Sequence, residues 1–362
     1  MSDTIAPSAI SFSDPIFDFT FHPSSNLVIA GLITGYVYCY KYDNEENSLS
    51  WSTQISKKSC RGVEFIRDGD ALITISRDKS IRTLDTLTGR ILYKIPKAHK
   101  YPINKIHTLD SNKIATGDDE GVIKLWDLRT PVKMIHQNRT HDDFIADMAY
   151  CESKSTLLAA GGDGVLSIHD IRRFDKKVAT STILDDELLS LSTIKNDEQV
   201  VVGSQSGALY FWDWYQWETI KDKWIGHPSS VDTLCYLDDE TICTGGNDGL
   251  IRLVSIYPQH QFEGILGDHG EDFPIECLKL SPSSSASTLL GSCGHDYRLR
   301  FWNINYLFHD EEDENDDDIQ FTKTTKKKNP NGTTIDNDDE GDANLGGTKK
   351  RMKQSTNFFN DL

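Results

Sequence analysis

The stretch EGVIKLWD, Glu120–Asp127, decides the fold, because it returns six more times in altered form. TGYVYCYK (Thr34–Lys41), DKSIRTLD (Asp78–Asp85), DGVLSIHD (Asp163–Asp170), SGALYFWD (Ser206–Asp213), DGLIRLVS (Asp248–Ser255) and DYRLRFWN (Asp296–Asn303) each join a turn to a β-branched and aromatic run. Aligned on their second residues, Gly35, Lys79, Gly121, Gly164, Gly207, Gly249 and Tyr297, they stand 44, 42, 43, 43, 42 and 48 residues apart.

Working outward, a strand of small residues precedes every turn, as in LVIAG, ALITIS, KIATGD, LLAAGG, QVVVGS, TICTGG and LLGSCG. One strand earlier lies a half-buried segment such as IFDFTF, IADMAY or VDTLCY, and a weaker fourth strand follows, as in LSWSTQI, ILYKI, PVKMIH and FEGIL. Alternation predicts one set of side chains between neighbouring units and the other in solvent. Helical periodicity is absent, and a sheet this long must hide its edges by closing on itself. The period matches that of propeller blades. The expected fold is all-β: a seven-bladed WD-repeat β-propeller over residues 1–308, with a disordered charged tail over 309–362.

After Trp302 the chain has only NINYLFH before it turns acidic, too little for a last outer strand. The stretch from Ile5 to Phe12 is apolar enough to supply it, so the N-terminus is predicted to close the last blade.

Lys and Arg number 38 against 56 Asp and Glu, a formal net charge of −18. Such a field repels naked nucleic acid and attracts basic partners, so direct nucleic acid binding is not expected to be tight. There is no long apolar run and no basic-then-apolar leader, which predicts a soluble intracellular chain without a membrane partner. These patterns leave the oligomeric state open, and a monomer is the expectation. The seven cysteines are scattered through strand-like runs with no C-x-x-C pair, as expected of reduced, buried thiols.

Blades of this kind are locked by a His before the unit, a Ser or Thr in the second strand, an Asp in the turn and a Trp in the third strand. The last unit matches best, with His269, Ser292, Asp296 and Trp302. Elsewhere the set looks broken. His99, Thr116 and Trp126 occur with Glu120 in the Asp place; His141 and Asp163 face His169 in the Trp place; His227 and Asp248 face Val254. Those blades are expected to be less rigid, leaving only the last with a full lock.

A Ser, a His and an Asp in one unit also invite a hydrolase reading, but no G-x-S-x-G elbow appears and the residues fall where the lock wants them. GGDG at Gly161 and GGNDG at Gly245 lack the following helix and Lys of a phosphate loop. The histidines show no zinc-type grouping. No catalytic, cofactor-binding or metal-binding residue is expected, and no cofactor.

Charge placement is more informative. The loop entering each blade and the turn before each third strand share one face of a propeller. Here they carry Asp118, Asp119 and Glu120, Asp142 and Asp143, Asp185, Asp186 and Glu187, and Glu271 and Asp272, so that face is expected to be acidic and to dock a basic partner. The opposite face carries Arg129 in WDLR and Arg172 with Arg173 in HDIRR. In the tail, eight of the nine residues 310–318 are acidic, and the mixed-charge remainder has no core-forming pattern. The cluster Lys349, Lys350, Arg351 and Lys353 reads as a nuclear import signal. The chain ends in STNFFNDL, whose paired Phe suits a docking peptide.

With the blades laid out, the sequence resembles the WD repeat-containing protein 55 family. The resemblance spans nearly all of residues 16–302. It is densest in LLAAGGDGVLSIHDIRR, DDELLSLSTIKNDEQVVVGSQSGALYFWDW, IGHPSSVDTLCY, CTGGNDGLIRLVSIYP and GHDYRLRFWN, and the FFNDL ending is similar too. Family-like departures from the general pattern include His169 for Trp and Val254-Ser255 for Trp-Asp. The resemblance implies nuclear and nucleolar residence and a role in ribosomal RNA processing and subunit assembly as a non-catalytic scaffold. The partners then expected are basic ribosomal proteins or assembly factors within a pre-ribosomal particle. The tail is short for a yeast-type member. A competing expectation is a substrate receptor of a cullin-4 ubiquitin ligase, in which Arg129 and Arg172 would touch the ligase adaptor.

Overall fold

A computed structural model describes residues 6–129, 132–174, 179–282 and 288–308. These residues form seven antiparallel four-stranded sheets. Blade 1 runs from Ile16–Phe21 to Ser48–Gln54, blade 2 from Cys60–Ile66 to Ile91–Ile95, and blade 4 from Ile145–Cys151 to Ala179–Thr180. Blade 3 consists of Ile103–Asp110, Lys113–Asp118, Val122–Asp127 and Lys133–Arg139. Blade 5 consists of Leu188–Ile194, Gln199–Ser204, Ala208–Asp213 and Asp222–Ile225. Blade 6 runs from Val231–Tyr236 to Gln261–Asp268, and blade 7 holds Ile275–Leu280, Leu289–Gly294 and Arg298–Asn303. The fourth strand of blade 7 is Ile10–Ser11, paired antiparallel with Arg298–Leu299. Closure by the N-terminus therefore holds, with a strand shorter than the stretch from Ile5. Pro7 has no N–H to give a ladder. The Ser8 carbonyl instead accepts from Asn47 Nδ2 at 2.6 Å, which draws the chain toward blade 1.

The seven aligned turn residues explain the repeat. All have positive φ, from 61° at Tyr297 to 84° at Gly207. Glycine enters that region without strain, which is why it holds five of the seven places. At Gly121 a Cβ would also stand 2.3 Å from the His141 carbonyl oxygen.

The core lies between blades. Ile73, Ile75 and Ile81 of blade 2 pack with Ile103, Ile106, Ile114 and Trp126 of blade 3. At the seam, Ile10, Leu299 and Phe301 pack with Phe19, Phe21 and Tyr42. Burying such side chains contributes about 1.5–3 kcal/mol each. All seven cysteines are buried and unpaired. Burial pushes the Cys39 thiol up to about 11 and Cys235 to about 12, so both stay protonated.

Every first strand carries a register shift at the same place: after Ile16, Cys60, Ile103, Ile145, Leu188, Val231 and Ile275. Beyond the shift, first strands bond the first strand of the adjacent blade. Asp18 accepts the Val63 N–H at 2.8 Å, Glu64 that of Thr108 at 2.6 Å, Asp147 that of Leu191 at 3.0 Å and the Thr233 hydroxyl that of Leu278 at 3.1 Å.

Candidate functional site

The turn before each third strand lies against the loop that enters the next blade. Gly35 O accepts from Ile55 N, Lys79 O from Ala98 N, Gly164 O from Leu184 N and Gly249 O from His269 N. These loops gather at one end of the propeller, as the sequence requires. The locks sit directly beneath them.

In blade 7 the predicted lock is present. Trp302 Nε1 donates to Ser292 Oγ at 2.8 Å, Ser292 lies 2.7 Å from His269 Nε2, and His269 Nδ1 lies 3.0 Å from Asp296. Blade 3 corrects the sequence expectation: its lock is complete, and the carboxylate is Asp118 instead of Glu120. Trp126 Nε1 donates to Thr116 at 2.8 Å, Thr116 meets His99 Nε2 at 2.7 Å, and His99 Nδ1 meets Asp118 at 2.8 Å. The physical reason is register. Asp118 pairs with Ile103 at the strand end, the place that Gly294 takes opposite Ile275. The carboxylate thus arrives from the strand end two residues before the turn position. Glu120 is released toward solvent, 3.8 Å from Arg139.

The remaining locks vary. In blade 4, His141 bonds Asp163 at 2.9 Å and Ser167 at 2.7 Å, and Ser167 bonds His169 at 2.9 Å. His169 stacks on Phe174 with ring centres 5.0 Å apart, and burial drives its pKa down to about 3, so the ring is neutral. In blade 6, His227 reaches Thr244 at 2.9 Å, but Asp248 turns to Arg252 at 2.6 Å.

The expected acidic face therefore needs redrawing. Asp118 is 1% exposed and belongs to the blade 3 lock, so no partner reaches it. Asp119 is tied to Arg61 at 2.6 Å. Asp186 is half-buried and accepts from Ser206 at 2.6 Å and from Tyr210 at 3.0 Å. Asp142, Asp143, Asp185, Glu187, Glu271 and Asp272 are exposed. They cluster on the loops of blades 4, 5 and 7. On the loops that enter blades 2 and 3 and in the turn before the third strand of blade 2 the sign reverses, with exposed Lys57, Lys58, Arg77, Lys97 and Lys100. Residues 56–101 hold 11 Lys and Arg against 5 Asp and Glu, whereas the rest of residues 1–302 hold 19 against 37. The face has two signs.

Between these sectors opens a cavity of about 460 Å³ at the mouth of the central channel. Its rim includes Phe17, Arg61, Asn104, Ala146, Leu189, Asp232 and Glu276, one from each blade. Each is the extra residue of its strand's register shift. Sequence reasoning missed this ring, although its members occupy one column of the repeat. Arg61 meets Asn104 at 3.2 Å on one side. On the other, Glu276 bonds His295 at 2.7 Å, which raises the His295 pKa. Burial, reinforced by Glu276 and Asp248, pushes Asp232 up to about 6 against the opposing hydroxyl of Ser230. Beside the ring, Lys105 bonds Asp147 and Lys279 bonds Asp18, each at 2.8 Å. Burial opposes the charge of both lysines, and the carboxylates outweigh it. Among the described residues no group of His, Cys, Asp and Glu is arranged to hold a metal ion. The site offers rigid loops, charge and a rimmed opening, which suit it to holding a partner.

On the opposite end, Arg129 and Arg172 are exposed, and each folds back onto the carboxylate two residues earlier, Asp127 and Asp170. Lys349, Lys350, Arg351 and Lys353, the expected tail at 309–362, the Phe-Phe ending and Ile5 lie outside the described residues.

A family profile described as WDR55 matches residues 7–307. The chain is 36% identical over 293 residues to WD repeat-containing protein 55 of Arabidopsis thaliana, covering 80% of this chain and 81% of that one. It is 36% identical over 303 residues to WD repeat-containing protein 55 of Mus musculus, covering 83% and 76%. It is 36% identical over 322 residues to WD repeat-containing protein JIP5 of Coprinopsis cinerea, covering 85% and 77%.

Proposed function

The chain belongs to the WD repeat-containing protein 55 family, and on that footing we propose that it serves as a non-catalytic protein-interaction scaffold in nucleolar ribosome biogenesis. Six exposed carboxylates on the loops of blades 4, 5 and 7 carry the reading, because unpaired surface charge of one sign steers and selects partners of the other. The fitting partners are basic ribosomal proteins or assembly factors in a pre-ribosomal particle. Family resemblance supports residence in the nucleus and nucleolus, with Lys349, Lys350, Arg351 and Lys353 as the import signal. The locks beneath the loops of blades 4 and 7 suit this role, since well-held loops lose little freedom on binding.

The ligase-receptor reading has less behind it. The guanidinium of Arg129 is engaged by Asp127 and that of Arg172 by Asp170, which accounts for the recurring W-D-x-R and H-D-x-R pattern as a local clamp.

Affinity purification of the tagged full chain from growing cells tests the proposal. Wild type is expected to bring down pre-ribosomal proteins. A variant with Asp142→Ser, Asp143→Ser, Asp185→Ser and Glu187→Gln is expected to lose at least ten-fold of them at an unchanged melting temperature. Equal recovery by the variant overturns the acidic-loop reading. Recovery of cullin-type ligase subunits that vanish in an Arg129→Ala, Arg172→Ala variant overturns the scaffold reading in favour of the receptor.

A further inference from the structure

The basic sector has no role in that proposal. Lys57, Lys58, Arg77, Lys97 and Lys100 are exposed and make no ion pair among the described residues. They are neighbours. The turn at Gly35 lies against the Lys58 carbonyl, Arg77 N donates to Ser59 O at 3.0 Å, and Lys79 Nζ donates to Lys100 O at 2.8 Å. The patch leads to an aromatic ring with ammonium groups near it: Lys100 Nζ lies 5.1 Å and Lys79 Nζ 6.0 Å from the centre of Tyr101.

A second observation stands at the same place. Beside Tyr101 a cleft of about 370 Å³ is walled by Lys100, Lys124, Gln137, Asn138 and Arg139. Its two carboxylates are already engaged, Asp118 by His99 and Glu120 by Arg139 at 3.8 Å. The Lys124 ammonium is anchored on the Ala98 carbonyl at 2.7 Å. The cleft thus combines cations for phosphate, a ring face for a base and side-chain amides for base edges.

We propose that this sector binds single-stranded RNA, its phosphodiester backbone following Lys57, Lys58, Arg77, Lys97 and Lys100 and one base stacking on Tyr101 in the cleft. A single strand suits the arrangement better than an acidic protein, because successive phosphates are read by a row of unpaired cations and any base has a π-face for an aromatic platform. The chain's overall negative charge does not prevent this. Screening confines each field to about 8 Å at physiological salt, so a phosphate at this patch meets Lys57, Lys58, Arg77, Lys97 and Lys100 before the carboxylates of blades 4, 5 and 7. The site shares no residue with the acidic-loop proposal and stands or falls separately.

Fluorescence anisotropy of the full chain with a labelled twelve-nucleotide oligouridine tests it. Binding is expected to weaken steeply with salt. The variant Lys57→Ala, Lys58→Ala, Lys97→Ala, Lys100→Ala is expected to bind at least thirty-fold more weakly, with the salt slope shallower by about 3. Tyr101→Ala is expected to lose roughly ten-fold with the slope unchanged, the mark of stacking. Arg129→Ala with Arg172→Ala, on the other end, is expected to bind as wild type. Unaltered binding by the four-lysine variant would assign the RNA to other cations, Lys326–Lys328 and Lys349–Lys353 of the tail included, and overturn the proposal. Oligoglutamate binding that is tighter than oligouridine binding and lost with the same four lysines would overturn it in favour of an acidic protein.

Discussion

Blades 3 and 5 share one architecture and are held together by opposite means. In blade 3 a buried chain from Trp126 through Thr116 and His99 to Asp118 ties the third strand to the loop above it. That loop is basic, with Lys97 and Lys100. Blade 5 has Trp212 in the same place, fully buried, yet its Nε1 has no partner among the described residues, because Val202 stands where blade 3 has Thr116. Its third strand is fixed by apolar packing among Val200, Val202, Tyr210, Trp214 and Trp217. Its loop is acidic, with Asp185 and Glu187, and is held mainly by Asp186 through Ser206 and Tyr210. The repeat constrains backbone shape tightly and chemistry loosely. That latitude allows one face to carry two signs.

Removing the carboxylate that holds the loop of each blade should separate them most. Asp118→Ala leaves His99 and two backbone N–H groups, those of Glu120 and Val122, without their acceptor. A cost of about 3 kcal/mol is expected, read as a melting temperature lower by roughly 6–12 °C. Asp186→Ala, at a half-buried site that water reaches, should cost about 1 kcal/mol. Equal losses would mean that the blade 3 chain adds nothing beyond a loop contact.

Acid should act on the two blades at different pH. Burial lowers the His99 pKa despite the neighbouring Asp118, so His99 takes up a proton more readily when unfolded. Its contribution is therefore complete above about pH 6.5 and lost as pH falls below that. The Asp118 pKa is also lowered: burial raises it, but His99 and the backbone N–H groups outweigh burial. Its contribution is present above about pH 3.9 and lost on further acidification. Blade 5 has no histidine of its own from Leu188 to Ile225. His260 of blade 6, which stacks on Phe211 and bonds Asp222, touches its third and fourth strands, so the second strand is the part expected to be unchanged between pH 7.5 and 5.5. Hydrogen exchange, corrected for intrinsic rates, should then show Lys113–Asp118 opening more readily at pH 5.5 while Gln199–Ser204 is unchanged. Acceleration of both strands alike would remove His99 as the cause.

The smallest effect sharpens the comparison from the other side. Val202→Thr should give Trp212 Nε1 the acceptor that Thr116 gives Trp126, with a change in stability within about 1 kcal/mol in either direction, because the new hydroxyl proton has no His to receive it. A loss of several kcal/mol would show that blade 5 packing does not tolerate the hydroxyl.

Much of this was legible beforehand. The positive φ of the third-strand turn demands Gly or a strained substitute every 42 to 48 residues, so the seven blades stand out in the letters. The closing strand followed from counting strands. The blade 3 lock was misjudged because Asp118 and Glu120 differ by two positions across a strand end, and sequence spacing does not say which one the chain turns inward. The rim residues gave no signal because a register shift has no composition of its own: Phe17, Arg61, Ala146 and Asp232 share a backbone place and no chemistry. The basic sector was visible in SKKS, RDKS and PKAHK but was hidden by reading one net charge of −18 over the whole chain.

Basic partners are proposed to dock on the acidic loops of blades 4, 5 and 7. Zero-length carboxyl-to-amine crosslinking of complexes purified on the full chain, followed by mass spectrometry, addresses this docking at the residues concerned. Partner lysines should be joined to Asp142, Asp143, Asp185, Glu187, Glu271 and Asp272. Crosslinks concentrated instead on carboxylates of the other end, such as Asp127, Asp170 and Asp213, would contradict the account.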